Sequence, residues 1–371
     1  MTEISWWKTI FGNAEIEHVV QSMRDKCISQ GRVTEEFERN LSDFFEVESV
    51  IAVNNGSNAI LIALMAIGIC PGDEVIVPNR TWIATAHAVH LLGAKVILVD
   101  TEEKRPIIDT TLIENKISSK TKAIIPVHMN GRSCDMVKIN QIAKKHNLFV
   151  IEDAAQAIGS RNSKGLLGTQ SDIGCFSLSV AKTISTGQGG FTVTNNNELA
   201  NKIRAIRTHG VENVKDPYEW PMPGHNFRFN DLAASIGIEQ LKRLPKRIKH
   251  LKNIYELYKE HLKGSEFKLI PVDITSGEVP VYNEFLISKR DIWVKKLADH
   301  DIETRSFYPS INSARYLEQT KERYINSEAF SKSGIYLPSG PDQPISAIKK
   351  TINTINTVSY THLTLPTIYS V

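Results

Sequence analysis

Lys182 and Asp153 are the residues whose type and setting point most directly to chemistry. Lys182 lies in Cys175-Phe-Ser-Leu-Ser-Val-Ala-Lys-Thr-Ile-Ser-Thr-Gly-Gln-Gly-Gly190, where a strand-like run gives way to a glycine-rich turn. Asp153 closes the run Leu148-Phe-Val-Ile-Glu-Asp153. It is therefore expected at the C-terminal end of a parallel strand, where open α/β sheets place their ligands. A lysine amine can form a Schiff base, and a carboxylate can pair with a ring nitrogen and keep it protonated. Neither residue says much alone, since most lysines are solvated and most aspartates after strands belong to turns.

Their companions along the chain complete a set. Gly56-Ser57-Asn58 precedes the apolar segment Ala59–Ile67, which is of helical length, with Ser57 as the expected capping residue. Free N–H groups at such a helix start form a seat for phosphate, to which Ser177 can add a hydroxyl. Trp82 follows the strand-like Glu74–Val77 in Pro78-Asn-Arg-Thr-Trp-Ile-Ala-Thr85 and can lie flat on an aromatic ring. With Asp153, Gln156 and Lys182, these are the parts needed to hold pyridoxal phosphate. That cofactor is an electron sink which requires a lysine partner and an acid at its ring nitrogen. A nicotinamide site is not supported, because no Gly-x-Gly-x-x-Gly follows a strand and opens a helix, and a P-loop is absent too.

The combination of Asn55-Gly-Ser57, Thr81-Trp-Ile-Ala-Thr85, Val127-His128, Glu152-Asp-Ala-Ala-Gln-Ala157, Gly174-Cys-Phe-Ser177, Lys182, Thr186-Gly-Gln-Gly-Gly190, His209-Gly210 and Gly224-His-Asn-Phe-Arg228 resembles the nucleotide-sugar aminotransferases of the DegT/StrS family over nearly the whole chain. The resemblance implies a fold-type-I pyridoxal-phosphate transferase. Its large domain would carry a mostly parallel seven-stranded sheet, followed by a smaller C-terminal α/β domain. By the same resemblance, Lys182 is the Schiff-base lysine, Asp153 the partner of the ring nitrogen, Gln156 the contact to the ring hydroxyl and Trp82 the stacking aromatic. Gly56, Ser57, Asn58 and Ser177 match the phosphate contacts. Asn226 and Arg228 match residues that reach the site from a neighbouring subunit, so a homodimer with shared active sites is implied. His209, Gly31 and Tyr308 are candidate sugar-side contacts. The stretch Phe307-Tyr-Pro-Ser-Ile311 departs from the family's frequent Tyr-x-Pro-x-His, with Ile311 where the histidine often stands.

The activity implied is transfer of an amino group, with glutamate as the usual donor, to a nucleoside-diphosphate-linked keto sugar of the 4-keto-6-deoxy kind. Both substrates would use one site in turn, giving ping-pong kinetics. One group in the family carries histidine in place of the lysine and performs a dehydration, so Lys182 favours the transferase over a dehydratase or lyase. A non-catalytic sensor with the same fold would tolerate loss of Lys182 or Asp153, and both are present. Lys182 must be neutral to act, and desolvation next to a cationic ring would lower its pKa.

Composition sets broad limits. With 44 Lys and Arg against 41 Asp and Glu, the net charge of +3 suggests no field for nucleic acid or an anionic membrane. No apolar run reaches spanning length, and Met1-Thr-Glu-Ile-Ser-Trp-Trp7 lacks the pattern of a signal peptide, so a cytoplasmic enzyme is expected. Cys27, Cys70, Cys134 and Cys175 are scattered without a Cys-x-x-Cys pair and are expected as reduced thiols. His87 and His90 lie one helical turn apart but lack a third ligand, so no metal site is expected.

Strands are expected at Glu74–Val77, Lys95–Val99, Ala123–Val127, Leu148–Ile151, Gly174–Leu178 and Gly190–Thr194, with helices at Ala84–Leu92, Thr111–Ile117, Met136–His146, Asn197–Thr208 and Asp231–Leu244. This alternation favours a largely parallel sheet covered on both faces. Residues 1–246 are assigned to the large domain with an N-terminal arm. Residues 247–357 form the small domain, with strands at Val279–Ile287 and Ile302–Phe307 around a helix at Asp291–Ala298. The basic run Lys242–Lys249 reads as a solvated helix face. Val358-Ser-Tyr-Thr-His-Leu-Thr-Leu-Pro-Thr367 resembles a translated sequencing adapter, so 358–371 is expected to be a poorly packed, non-native tail.

Overall fold

The computed structural model describes residues 4–213, 219–317 and 322–363. Strands β1 (Ser49–Val53), β2 (Glu74–Pro78), β3 (Lys95–Val99), β4 (Thr121–Ile124), β5 (Phe149–Asp153), β8 (Ile173–Ser177) and β9 (Gly190–Thr194) form one sheet in the order β1-β9-β8-β5-β4-β2-β3. Between β5 and β8, the short strands β6 (Arg161–Asn162) and β7 (Gly165–Leu166) pair with each other. Every pairing from β8 through β3 is parallel, while β9 runs antiparallel to both β8 and β1.

Alternate strand residues feed apolar layers on the two faces. Ile51 and Val53 point into one layer with Ile60, Ala63 and Leu64 of α3 (Gly56–Ala66) and Ile203 of α6 (Asn197–Arg207). Val50 and Ala52 point the other way, against Phe37, Leu41 and Phe45 of α2 (Arg32–Phe45) and Ile238 of α7 (Asp231–Lys242). Farther along the sheet, Val75 and Val77 join the first layer while Ile76 joins Ile139 and Ile142 of α5 (Met136–His146). Burial on both faces explains why these strands read as unbroken apolar runs.

The small domain has the four-stranded antiparallel order β10-β11-β13-β12, built from Lys268–Leu269, Asn283–Leu286, Gly334–Leu337 and Arg305–Ser306 respectively. Helices α8 (Leu244–His261), α9 (Arg290–Ala298), α10 (Ile325–Ser333) and α11 (Ile345–Leu363) accompany it, and Tyr258, Phe285, Trp293 and Ile348 share its core. The long helix α8 runs through the expected boundary at 246/247 without a break. No helix among the described residues is long and apolar enough to cross a membrane.

Several local expectations change. Thr111–Ile117 forms two 3-10 turns, Thr110–Leu112 and Glu114–Lys116, instead of a helix, and β1 was not anticipated. The small-domain strands shrink to Asn283–Leu286 and Arg305–Ser306. Arg247, expected on a solvated face, is buried and pairs with Asp342 at 2.6 Å. The N-terminal arm lies on the small domain: Ile4 bridges to Ile302 and Trp7 to Ser339. Helix α1 (Asn13–Arg24) then leads back to the large domain and packs on α7. The packing break expected at Val358 does not fall there, since α11 continues past it and Val358 packs on the small-domain core; residues 364–371 lie outside the described residues.

Candidate active site

The C-terminal ends of the parallel strands open into a cleft of about 510 Å³ between the domains. Its floor begins with α3. The helix is capped by Asn55, whose Oδ1 accepts from the Asn58 N–H at 2.8 Å, which corrects the expectation that Ser57 caps it. Ser57 instead occupies the first turn and is exposed to the cleft. Gly56 is required for close approach, because a Cβ there would lie 2.7 Å from the Ser177 Cβ. A helix N-terminus flanked by the hydroxyls of Ser57 and Ser177, with space kept open by glycine, suits a phosphate. Asn58 does not share this surface: its amide nitrogen donates to Asn54 Oδ1 at 2.7 Å.

Asp153 ends β5 and is almost fully buried, at 4% exposure. Thr85 donates to its Oδ2 at 2.7 Å and the Ala155 N–H to its Oδ1 at 3.1 Å. Burial raises the carboxyl pKa, opposed by these two donors and by the charge of Lys182. Beneath it, Glu152 is also buried and accepts from the N–H groups of Gly168 and Gln170 (2.8 and 2.7 Å) and from Ser171 (2.9 Å). His128 Nε2 lies 2.8 Å from the same carboxylate while its Nδ1 accepts the Cys134 N–H at 3.2 Å, so the ring carries its proton on Nε2. Gln156 lines the cleft and is oriented by the Asn130 N–H, which donates to its Oε1 at 2.9 Å. Asn130 adopts a left-handed backbone (φ 55°) and exchanges hydrogen bonds with the backbone of Tyr282.

Lys182 enters the cleft from the turn between β8 and β9. Burial drives its pKa down from the usual 10.5 to about 8, partly opposed by Asp153. The two residues preceding it are clamped: Trp7 Nε1 donates to the Val180 carbonyl at 2.8 Å and the Tyr282 hydroxyl to the Ala181 carbonyl at 2.7 Å. Trp82 is 56% exposed yet lines the cleft, standing edge-on to Tyr308 with ring centroids 5.4 Å apart.

Lys182, Asp153, Gly56, Ser57, Trp82, Gln156, Ser177 and Tyr308 thus converge on one cleft, although they come from both domains. Gly31 does not line it. It caps α2 and donates to Asp231 Oδ1 at 2.9 Å. His209 is likewise elsewhere, in a positive-φ turn (62°) whose N–H donates to the His225 carbonyl. Asn226 and Arg228 do not line the cleft of their own chain, and Arg228 Nε donates to Asn226 Oδ1 at 2.9 Å. His87 and His90 both pack against Tyr316. Ile311 is a buried residue packed with Ala86 and Leu317, so it presents nothing to the cleft.

Sequence reasoning overlooked Thr85, Trp6, Gln188, Tyr282, Arg305 and Tyr336 as members of the site. Thr85 sat inside a quoted motif, and its spacing of one helical turn from Thr81 was the available signal. Gln188 likewise lies in the quoted Thr186–Gly190 turn, six residues after Lys182, whereas Trp6, Tyr282, Arg305 and Tyr336 carry no local signature, because long-range packing alone brings them in.

The profile of the DegT/DnrJ/EryC1/StrS aminotransferase family matches residues 10–356. A GDP-perosamine synthase of Caulobacter vibrioides is 36% identical over 333 residues, covering 87% of this chain and 90% of that protein. A GDP-perosamine synthase of Escherichia coli O157:H7 is 36% identical over 336 residues, covering 88% and 90%. Among solved structures, the putative sugar aminotransferase Spr1654 from Streptococcus pneumoniae in its PMP form superposes with a TM-score of 0.91 at 26% identity, covering 97% of this chain and 98% of that one.

Proposed function

The chain belongs to the DegT/DnrJ/EryC1/StrS aminotransferase family and is a pyridoxal-phosphate-dependent nucleotide-sugar aminotransferase of fold type I, and on that premise we propose that it moves an amino group from glutamate to a GDP-linked 4-keto-6-deoxy sugar. The observation that carries the reading is the convergence of a neutralisable amine, Lys182, and a buried carboxylate, Asp153, on one cleft. The 36% identity to two GDP-perosamine synthases supports the GDP-linked acceptor.

The residues fit the cofactor. Ser57, Ser177 and the free N–H groups of α3 would hold its phosphate, Trp82 its ring face, Gln156 its ring hydroxyl, and Asp153 its ring nitrogen. When bound, the cofactor supplies an electron sink for the carbon that loses a proton. Lys182 would anchor it and, with its Nζ free, would move that proton as a general base and acid already in place. Thr85 and the Ala155 N–H orient Asp153 and oppose the rise that burial imposes on its pKa, which favours the carboxylate form that would pair with a protonated ring nitrogen. The clamp on Val180 and Ala181 fixes the backbone that aims Lys182.

The working unit is a homodimer that completes each site with Asn226 and Arg228 of the second copy. Support comes from the absence of these two residues from the lining of their own cleft and from the exposed apolar stripe Ile16, Val20 and Met23 along α1. The enzyme works in the cytoplasm, in keeping with its four free cysteines. Incubation with glutamate and a panel of GDP-, UDP- and dTDP-linked 3-keto and 4-keto sugars, followed by mass and NMR analysis of the products, tests the proposal. Amination of a UDP- or dTDP-linked member in preference to every GDP-linked one would overturn the acceptor, and deoxygenation without amine transfer would overturn the reaction.

A further inference from the structure

Arg80 is the least explained charge in the structure. It lies on the loop that carries Trp82 and leads into the helix Ala84–Leu91, which holds Thr85, and its relative exposure is 0%. One nitrogen, Nη1, donates to the Tyr308 carbonyl at 2.9 Å, whereas Nε and Nη2 have no hydrogen-bond partner. Among the described residues no carboxylate pairs with it: Glu284, in the same neighbourhood, gives its Oε2 to Arg132. What Arg80 does contact is aromatic, with its guanidinium carbon 4.4 Å from the centre of the Phe307 ring and 4.1 Å from that of Tyr308. A buried guanidinium held mainly by two ring faces is expensive in a fold, and an apolar side chain of similar length would fill the space without that cost.

The cost falls where the two domains meet. Asn79, next in the chain, bonds to the backbone of Ile311 and Asn312 (2.9 and 2.8 Å), so Asn79–Arg80 and Phe307–Asn312 form one cross-domain brace. The brace fixes Tyr308 against Trp82, the two rings near-perpendicular, with its hydroxyl within reach of Gln156 and Tyr336. Trp6, Tyr282, Tyr308 and Tyr336 together give the cleft an aromatic wall. Such a wall suits the C–H faces of a sugar ring and offers little to the polar chain of an amino-acid donor.

We propose that Arg80 is a positioning residue for the acceptor half of the reaction, holding Tyr308 and the aromatic wall in the geometry that receives the sugar ring. This rests on the acceptor being a keto sugar. Arg80 itself does not line the cleft. Its charge matters because the cation binds two ring faces from the small domain at once, and bulk alone does not.

Arg80→Met, Arg80→Lys, Tyr308→Ala and the Arg80→Met/Tyr308→Ala double variant test the proposal in the holoenzyme. Conversion of bound cofactor to its amine form by glutamate is followed by absorbance, and the return half-reaction is followed with a GDP-linked 4-keto-6-deoxy sugar. For Arg80→Met, the acceptor KM is expected to rise about tenfold or more, with the glutamate half-reaction within about twofold of wild type. Its melting temperature is expected to be unchanged or higher, since an unpaired buried charge is removed. Arg80→Lys should recover most of the acceptor KM. The double variant should be no worse than Tyr308→Ala by more than about twofold, because the two residues act as one unit. An acceptor KM within about twofold of wild type in Arg80→Met, equal damage to both half-reactions with a lower melting temperature, or additive effects in the double variant would each overturn the proposal. If the wild type itself turns over no keto sugar, the acceptor assignment fails at that earlier step, and the two failures are distinct.

Discussion

The depressed pKa of Lys182 has consequences that can be measured without any substrate. Folding takes the amine from 10.5 to about 8, chiefly by desolvation. Between those values the unfolded chain holds the proton that the native chain has released, so native stability rises with pH across that window. Below about pH 8 the native state carries the full penalty, of order 3 kcal/mol for a shift of this size. Lys182→Met removes the titrating group and fills similar space. The apoprotein of this variant should therefore be more stable than wild-type apoprotein at pH 7 by up to about 3 kcal/mol, with the advantage vanishing as pH approaches about 10.5. The same shift governs cofactor capture. With a pKa near 8, about one amine in ten is neutral at pH 7, against about one in three thousand for an ordinary lysine. The rate at which apoenzyme takes up pyridoxal phosphate into a borohydride-stable adduct should climb with pH and level off just above 8. Urea titrations of both apoproteins from pH 6 to 10.5 and stopped-flow capture over the same range provide the tests. A pH-independent stability difference, or capture that keeps rising towards pH 10, would show that the amine is not desolvated as argued.

Thr85→Val should remove a hydrogen bond to a buried carboxylate, at a cost of about 1.5–3 kcal/mol; pH titration of bound cofactor absorbance should show the ring nitrogen losing its proton more easily, while Thr85→Ser should restore the wild-type titration. Gly56→Ala places a methyl group against Ser177 and should weaken cofactor affinity by tenfold or more, read by equilibrium dialysis, with Lys182 still able to form an adduct at high cofactor concentration. Mixing and refolding Lys182→Ala with Arg228→Ala, each inactive alone, should restore about a quarter of wild-type activity, because half the dimers are mixed and each mixed dimer keeps one intact site. No recovery on mixing would mean that Arg228 serves its own subunit or none.

The chemistry was legible where it is written locally. Asp153 at the end of an apolar strand, Ser57 at the start of an apolar helix and Lys182 before a glycine turn each have a short-range signature, and each reaches the cleft. The errors share a cause. Ser57 was read as the cap because hydroxyls are good caps, yet the backbone geometry gives that role to Asn55, in extended conformation one residue before the helix. Arg247 was read as solvated because it lies in a basic run, but the packing of α8 against the large domain buries it beside Asp342. Asn58 had the right neighbourhood and the wrong direction, since its side chain turns to Asn54.

What the chain determined by itself was the inventory: the amine, the acid, the glycine-serine helix start and the alternation of strands that brings their C-terminal ends to one edge. Those features depend on periodicity and on residues adjacent in sequence, so they survive without knowledge of the fold. Tertiary structure alone decided which residues surround them. Trp6 and Tyr308 are 302 positions apart in number yet line one cleft, and Arg80 meets Tyr308 across a domain boundary, because burying apolar surface on two cores brings together segments that no local pattern connects. The depressed pKa of Lys182 belongs to the same category, because desolvation is a property of the packed surroundings and not of the lysine.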